Sequence, residues 1–127
     1  MSRALLDTSV LIGARDPGEL EGAISAASLA ELHFGALVAS DPDERARRSQ
    51  RLGVIEATFE PLPVDAPVAR EWGRLAAAVA ERGAQPRRRA IDLVIAATAN
   101  VYVVPLLTAD TADLAIIDDL VDVQAFP

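Results

Sequence analysis

Short apolar runs alternate along the chain with longer segments in which apolar residues recur at helical spacing. The runs lie at residues 4–6, 24–26, 59–64, 105–107 and 121–123, and they predict short buried strands. The segments between them have the pattern of helices with one buried face. Strands that alternate with helices favour a parallel sheet covered on both faces. The pattern therefore predicts one α/β domain over residues 1–127, with a central parallel sheet of four to five strands flanked by helices.

Sequence signals for helix starts divide the chain further. Asp41 and Asp65 each precede a helical segment with a proline in its first turn. Ser28 and Glu31 have the spacing of a capping box, which predicts that a helix begins at Ser28. Residues 91–101 are apolar on nearly every side and predict a central buried helix.

Length and composition narrow the class of protein. At 127 residues the chain is long enough for one domain with a substantial core. The absence of cysteine excludes disulfides, thiolate zinc sites and cysteine nucleophiles, and makes the reducing cytoplasm the expected location. No apolar stretch is long enough to suggest a membrane span, and the N-terminal segment lacks the pattern of a signal peptide.

The charge pattern argues against general electrostatic binding of nucleic acid, because the net charge is −7. All twelve basic residues are arginine, so mechanisms that need a lysine are excluded. The arginines within residues 45–51 are expected to form a solvated face or a partner surface. Arg88 and Arg89 lead directly into a predicted helix, and they are expected to hold a substrate phosphate.

Four acidic residues lie where apolar runs meet predicted helices: Asp7, Glu31, Asp92 and Asp110. In an open parallel sheet, residues that follow the strands meet at one edge. Two carboxylates about 5 Å apart repel by roughly 3 kcal/mol at an effective dielectric near 20, so such a cluster calls for a cation. Hydroxyls of Thr8, Ser9 and Thr108 complete an all-oxygen set, which Mg²⁺ or Mn²⁺ prefers. The sequence predicts a divalent metal site that activates water for attack on a phosphodiester.

These acidic residues also have ordinary structural explanations. Asp7 and Asp110 are each placed to cap the helical turn that follows, and Glu31 is placed to complete a capping box with Ser28. Asp92 is harder to explain in this way, because it lies in the first turn of an apolar helix, where a charge needs a strong partner. The sequence alone leaves both interpretations open.

Four segments, in this order, resemble the motifs of PIN-domain ribonucleases, and in particular of the VapC-type toxins of bacterial toxin–antitoxin pairs. They are residues 5–12, 30–35, 91–99 and 107–110. The resemblance implies a metal-dependent endoribonuclease toxin that forms a homodimer. It also implies inhibition by a small VapB-type antitoxin, with a larger hetero-oligomer as the expected form of the complex. Residues 100–104 differ from the His-Gly loop often found there, which affects a turn rather than the chemistry.

Carried over position by position, the resemblance implies that the catalytic and metal-binding quartet consists of the same four acidic residues. We expect Asp7 and Asp92 to be direct ligands, and Glu31 and Asp110 to bind through water or to hold a second ion. Asp113 matches a more variable position and is a supporting residue. Thr8, Ser9 and Thr108 are expected beside the substrate, together with Arg88 and Arg89.

Two other functions compete with this interpretation. A response-regulator receiver or a haloacid-dehalogenase-like phosphatase also places an aspartate after the first strand, but both rely on a lysine that this chain lacks. A binding module that keeps the fold without catalysis is compatible with the sequence. His33, the only histidine, is expected to pack or to face solvent rather than to act as a base, because it points about 200° away from Glu31 around the helix.

Overall fold

The computed structural model describes residues 3–127, and its elements follow the alternation of the sequence. In chain order they are β1 (Leu5–Leu6), α1 (Thr8–Gly13), a 3₁₀ helix (Pro17–Glu19), α2 (Ala26–Val38), α3 (Pro42–Thr58), α4 (Ala66–Glu81), a 3₁₀ helix (Pro86–Arg89), α5 (Ala90–Tyr102), β2 (Leu106–Thr108), a 3₁₀ helix (Thr111–Ile117) and β3 (Val123–Ala125). Within this part of the chain, no helix has both the length and the apolar character needed to cross a membrane.

The sheet is parallel throughout, and β2 lies in its centre between β1 and β3. Leu5 pairs with Leu106, and Leu106 pairs in turn with Val123. The amide of Asp7 continues the pairing by donating to the Leu107 carbonyl at 2.9 Å. This register brings the ends of β1 and β2 together at one edge of the sheet, where the candidate site lies.

The predicted sheet of four to five strands was wrong in strand number, because the described part of the chain has three. Two expected strands are reduced to isolated parallel bridges, Ala23 to Leu5 and Ser25 to Leu62. Leu62 lies between Pro61 and Pro63, which have no N–H groups with which to extend the pairing. The segment at residues 24–26 ends where α2 begins.

Two boundaries also differ from the sequence prediction. Ser25, rather than Ser28, caps α2, since its hydroxyl accepts the Ala27 N–H at 3.0 Å. Ser28 therefore lies in the first turn of the helix and is fully buried. The last strand begins at Val123 rather than at residue 121, because the Val121 N–H still bonds to the Ile117 carbonyl at 3.1 Å.

The other helix predictions are confirmed. Asp41 and Asp65 cap α3 and α4 with their side chains. The buried helix expected at residues 91–101 is α5, which extends one residue further at each end. It ends at Val103, whose φ of 55° is a left-handed conformation that a β-branched residue adopts only at a cost.

Helices cover both faces of the sheet, as predicted. Side chains of successive strand residues point to opposite faces, so Leu5 and Leu106 enter one apolar cluster and Leu6 enters another. The first cluster is completed mainly by α4 and α5. The second contains residues of α1 and α3, with leucines of α2 packed against it.

Arg51 of α3 holds the end of α1 in place. Its Nη1 atom donates to the carbonyls of Leu11 at 3.0 Å and Ala14 at 2.6 Å. Carbonyls at the end of a helix have no partner within the helix, and a cation there satisfies them and favours the helix dipole. Arg51 thus stabilises the short helix that begins at the candidate site.

We expect Arg51→Met to lower the free energy of unfolding by about 1–2 kcal/mol, because two partly buried carbonyls lose a charged donor. Urea denaturation measures this change. Arg47→Met is the matched control: Arg47 forms an exposed ion pair with Glu44, and its loss should cost less than about 0.5 kcal/mol. Equal effects of the two variants would contradict a special role for Arg51.

Candidate functional site

Asp7 lies at the junction of β1 and α1, where hydroxyl groups orient its carboxylate. Its Oδ2 atom accepts hydrogen bonds from the Ser9 hydroxyl at 2.6 Å and from the Thr108 hydroxyl at 3.0 Å. The Ser9 backbone N–H reaches the same oxygen at 3.4 Å, so Asp7 does cap α1. Within residues 3–127, no hydrogen-bond donor reaches Oδ1. One carboxylate oxygen is therefore fixed by the protein, and the other is left for a ligand.

Glu31 is held in a similar way on α2. The Thr8 hydroxyl donates to Glu31 Oε1 at 2.6 Å and lies 2.9 Å from the hydroxyl oxygen of Ser28. Ser28 is fully buried and Thr8 is nearly so. The short bond to a charged oxygen is the stronger of the two contacts. Glu31 is therefore oriented by a polar pair in the core, and not by the capping box that the sequence predicted.

Asp92 lies half-buried in the first turn of α5, and its pKa is clearly shifted. Burial, and then the negative charges of Asp7, Glu31 and Asp113, raise its pKa from 3.8 to about 6, while the charge of Arg89 opposes the rise. A carboxylate that others destabilise in this way lies close to them. The fold thus brings together Asp7, Glu31 and Asp92, which are distant in sequence.

Asp110 occupies a different position from the other three predicted acidic residues. Its Oδ1 atom accepts the Ala112 N–H at 3.1 Å and caps the 3₁₀ helix that follows β2. Its own N–H donates to the Thr108 hydroxyl at 3.2 Å, which places its backbone next to the group that binds Asp7. Its charge is not among those that raise the pKa of Asp92. Asp110 therefore borders the acidic cluster and has a capping role.

Asp113 is more closely coupled to the cluster than the sequence suggested, since its charge acts on Asp92. It lies in the first turn of the 3₁₀ helix Thr111–Ile117, and the Arg89 guanidinium donates to its backbone carbonyl. The sequence feature that could have indicated this is the spacing of three residues between Asp110 and Asp113, which puts the two on adjacent turns. Because Asp110 is needed as the cap, its carboxylate is less free than that of Asp113.

The other predicted site residues are placed as follows. The hydroxyls of Thr8, Ser9 and Thr108 are all at the site, but they bond to carboxylates rather than point into open space. Arg88 is exposed and Arg89 is half-buried. These two arginines are the last residues of the 3₁₀ helix Pro86–Arg89, directly before α5, so they precede Asp92 in the chain by only a few residues.

Two further residues clarify the limits of the site. His33 lies on the surface with Nε2 3.0 Å from Glu56 Oε1, so it faces solvent and pairs with α3, as the helical angle predicted. Ser28 was interpreted from the sequence only as a cap. Its position three residues before Glu31 puts both on one helix face, and this was the signal that it supports Glu31.

The donor set is suited to a hard divalent cation. Carboxylate and hydroxyl oxygens are the groups that Mg²⁺ and Mn²⁺ prefer, and a cation would relieve the repulsion that acts on Asp92. The ligands are not fully preassembled: over residues 3–127, no three carboxylate or histidine side chains are arranged so that they could hold one ion. The acidic residues therefore fit a metal by their chemistry and mutual repulsion, without forming a closed cage.

Comparisons with known proteins agree with this arrangement. The model of the PIN domain family matches residues 4–120. Ribonuclease VapC5 of Mycobacterium tuberculosis is 40% identical to the chain over 129 residues, which cover 94% of this chain and 91% of that protein. Ribonuclease VapC4 of the same organism is 38% identical over 125 residues, which cover 93% of each protein.

A solved structure gives the same result for the fold. It is that of VapBC-5 from Mycobacterium tuberculosis, a member of the VapBC family of toxin–antitoxin systems, and it superposes with a TM-score of 0.77 at 38% identity. The superposition covers 99% of this chain and 98% of the other. Sequence and structure therefore agree that the chain belongs to the PIN domain family, as a relative of the VapC proteins.

Proposed function

We propose that this chain is a metal-dependent endoribonuclease, the toxin of a type II toxin–antitoxin system, and that it acts in the cytoplasm. The observation that carries the proposal is the raised pKa of the half-buried Asp92, which burial and then the charges of Asp7, Glu31 and Asp113 produce. Such a cluster is costly unless a cation or a proton neutralises it. Two relatives at about 40% identity bear the name ribonuclease, which supports RNA as the substrate.

Asp7 and Asp92 are the proposed direct holders of Mg²⁺ or Mn²⁺. Asp7 offers its Oδ1 atom, because Ser9 and Thr108 already bond to Oδ2. Asp92 has no side-chain hydrogen bond from any residue in 3–127 that would compete for its oxygens. When bound, the ion would make a water more acidic and neutralise charge on the phosphate.

The remaining residues would orient the ion's surroundings and the RNA. Thr8 keeps one Glu31 oxygen engaged, so the second is available to accept a proton from a water. Asp110 and Asp113 border the site and would bind through water or hold a second ion. Arg88, whose side chain has no hydrogen-bond partner within residues 3–127, would bind a substrate phosphate, whereas Arg89 already donates to the Asp113 carbonyl. Local arginines of this kind, together with the cation, would allow a chain of net charge −7 to bind RNA.

The competing function is a binding module without catalysis. A binding module does not need a cluster of carboxylates that repel one another. Removing one of these charges would therefore stabilise such a protein without impairing its function. Lysine-dependent phosphotransfer stays excluded by composition. The nuclease and the inactive module are therefore separated by activity and by metal response.

A VapB-type antitoxin is the proposed partner, and an exposed apolar surface on α2 is its proposed contact. This α2 surface consists of Phe34, Leu37 and Val38, which are 68%, 72% and 55% exposed. It lies next to a groove of about 680 Å³ between α1, α2 and α3, which Glu31 and Arg51 help to line. An amphipathic segment of the antitoxin would bury the apolar surface and reach the acidic site through the groove.

The free chain is proposed to be a homodimer, and its antitoxin complex a larger hetero-oligomer.

We expect Asp92→Asn to stabilise the metal-free protein at neutral pH but not in acid. Because the folded pKa is raised to about 6, this group contributes stability that is full below about pH 4 and is lost as pH rises through about 6. Such a rise corresponds to about 3 kcal/mol for a fully shielded group, and partial solvation reduces the expected gain of the variant near pH 8 to about 1–2 kcal/mol.

Denaturation in EDTA at about pH 4 and about pH 8 measures this difference, and Asp41→Asn, which keeps an exposed cap, is the control. Mg²⁺ or Mn²⁺ should also raise the melting temperature of the wild type but not that of Asp92→Asn. A metal response that survives in this variant would remove Asp92 from the site.

We expect Asp7→Asn to remain folded and to lose cleavage by at least about 100-fold, since asparagine keeps the cap of α1 but removes the charge. The assay is cleavage of total RNA with Mg²⁺, with EDTA as the metal-free reference. Asp65→Asn, the same change at the cap of α4, should retain full activity. An active Asp7→Asn enzyme would contradict its role as a ligand.

The double variant Phe34→Ser with Leu37→Ser should weaken antitoxin binding by at least about tenfold, because two apolar anchors are lost. It should leave RNA cleavage intact. Copurification of coexpressed proteins and light scattering measure binding and mass, with the exposed Val64→Ser as control. If the free chain changes from dimer to monomer while antitoxin binding is unchanged, the α2 surface is the dimer interface instead.

A further inference from the structure

The first turn of α5, which carries Asp92, has no cap of its own. Arg89 occupies the N-cap position with φ of −120° and ψ of 22°, and its side chain makes no capping hydrogen bond. By contrast, α1, α2, α3 and α4 all begin with a capping side chain. The 3₁₀ helix Pro86–Arg89 runs directly into this turn and provides the bond from the Ala90 N–H to the Arg87 carbonyl. Since no side chain caps the turn, its direction also depends on contacts from other elements.

One of these contacts comes from Trp72, the only tryptophan of the chain. Its indole N–H donates to the backbone carbonyl of Ala90, the first residue of α5, at 3.0 Å. The half-buried ring belongs to α4 and packs against the apolar cluster to which α5 contributes. A rigid two-ring side chain thus fixes the helix two residues before Asp92.

A second contact joins the same two helices at the other end of α5. The Asn100 side-chain amide donates to Glu71 Oε2 at 2.7 Å and to the Leu120 carbonyl at 3.0 Å. Glu71 and Trp72 are neighbours on α4, so adjacent residues hold opposite ends of α5. Both contacts attach an end of α5 to α4 through a side-chain hydrogen bond, but only the one from Trp72 is close to an acidic residue of the site.

We propose that Trp72 is a positioning residue for Asp92: its hydrogen bond to Ala90 sets the first turn of α5, and with it the placement of the Asp92 carboxylate toward the other acidic residues. This inference rests on the proposed function, because the placement matters for binding a divalent ion. Trp72 is not among the residues proposed to hold the ion or to bind RNA. Its loss should therefore weaken metal binding without weakening RNA binding.

The test variant is Trp72→Phe, which keeps an aromatic ring on α4 and removes the N–H donor. We expect the Mg²⁺ concentration for half-maximal cleavage to rise about tenfold, while KM for RNA is unchanged and excess Mg²⁺ restores kcat. The rise in melting temperature on adding Mn²⁺ should be smaller than in the wild type at the same concentration. Asn100→Ala is the matched control, because it loosens the far end of α5: it should lower the melting temperature but leave the Mg²⁺ dependence unchanged.

A readout without metal separates this inference from the proposed function. In EDTA, backbone amides at residues 93–95 should exchange hydrogen faster in Trp72→Phe than in the wild type, and amides near residue 100 should not. Unchanged exchange at residues 93–95, or an equal loss of Mg²⁺ affinity in Asn100→Ala, would overturn the role of Trp72. A wild type that neither responds to Mg²⁺ nor cleaves RNA would instead overturn the proposed function, and the exchange data would still decide whether Trp72 orders the turn.

Discussion

Mutual repulsion of carboxylates at the start of a buried helix is the constraint on which the site depends. Asp92 cannot move away from its neighbours, because Leu93 and residues 95–99, which follow it in α5, are fully buried in the core. Asp7 is fixed from the sheet side by hydroxyls of Ser9 and Thr108. The fold therefore loses stability by keeping negative charges close together, which is typical of functional sites.

The hydroxyl groups around the site explain how the repulsion is tolerated. Each one satisfies a single oxygen of a carboxylate, and the bonds from Thr8 and Ser9 are short, at 2.6 Å. A charge-assisted bond of this kind lowers the cost of burying the anion and fixes its orientation. No donor among residues 3–127 reaches the second oxygen of Asp7 or of Glu31. One set of hydroxyl contacts therefore both orients these carboxylates and leaves one oxygen of each available to a ligand.

Much of this arrangement could be predicted from the sequence, because it follows from local patterns. The caps Asp41 and Asp65 and the apolar helix before β2 have strong signals, and the residues after β1 and β2 had to meet at the edge of a parallel sheet. The strand number failed because the two prolines beside Leu62 stop a ladder that hydrophobicity alone suggested. The capping position of Asp110 could be read from the helical turn that follows it, whereas the proximity of Asp113 to Asp92 depends on a contact between segments that are distant in sequence.

The prolines beside Leu62 have a further consequence for how this domain can associate. An unpaired strand at the border of a sheet invites another chain to add to it by β-augmentation, which leads to fibres as readily as to specific complexes. On the side of Leu62, the edge of the sheet consists of one bridged residue between two prolines. It therefore offers too few N–H groups to pair with an incoming strand. Addition of a strand from another chain on this flank is thereby disfavoured.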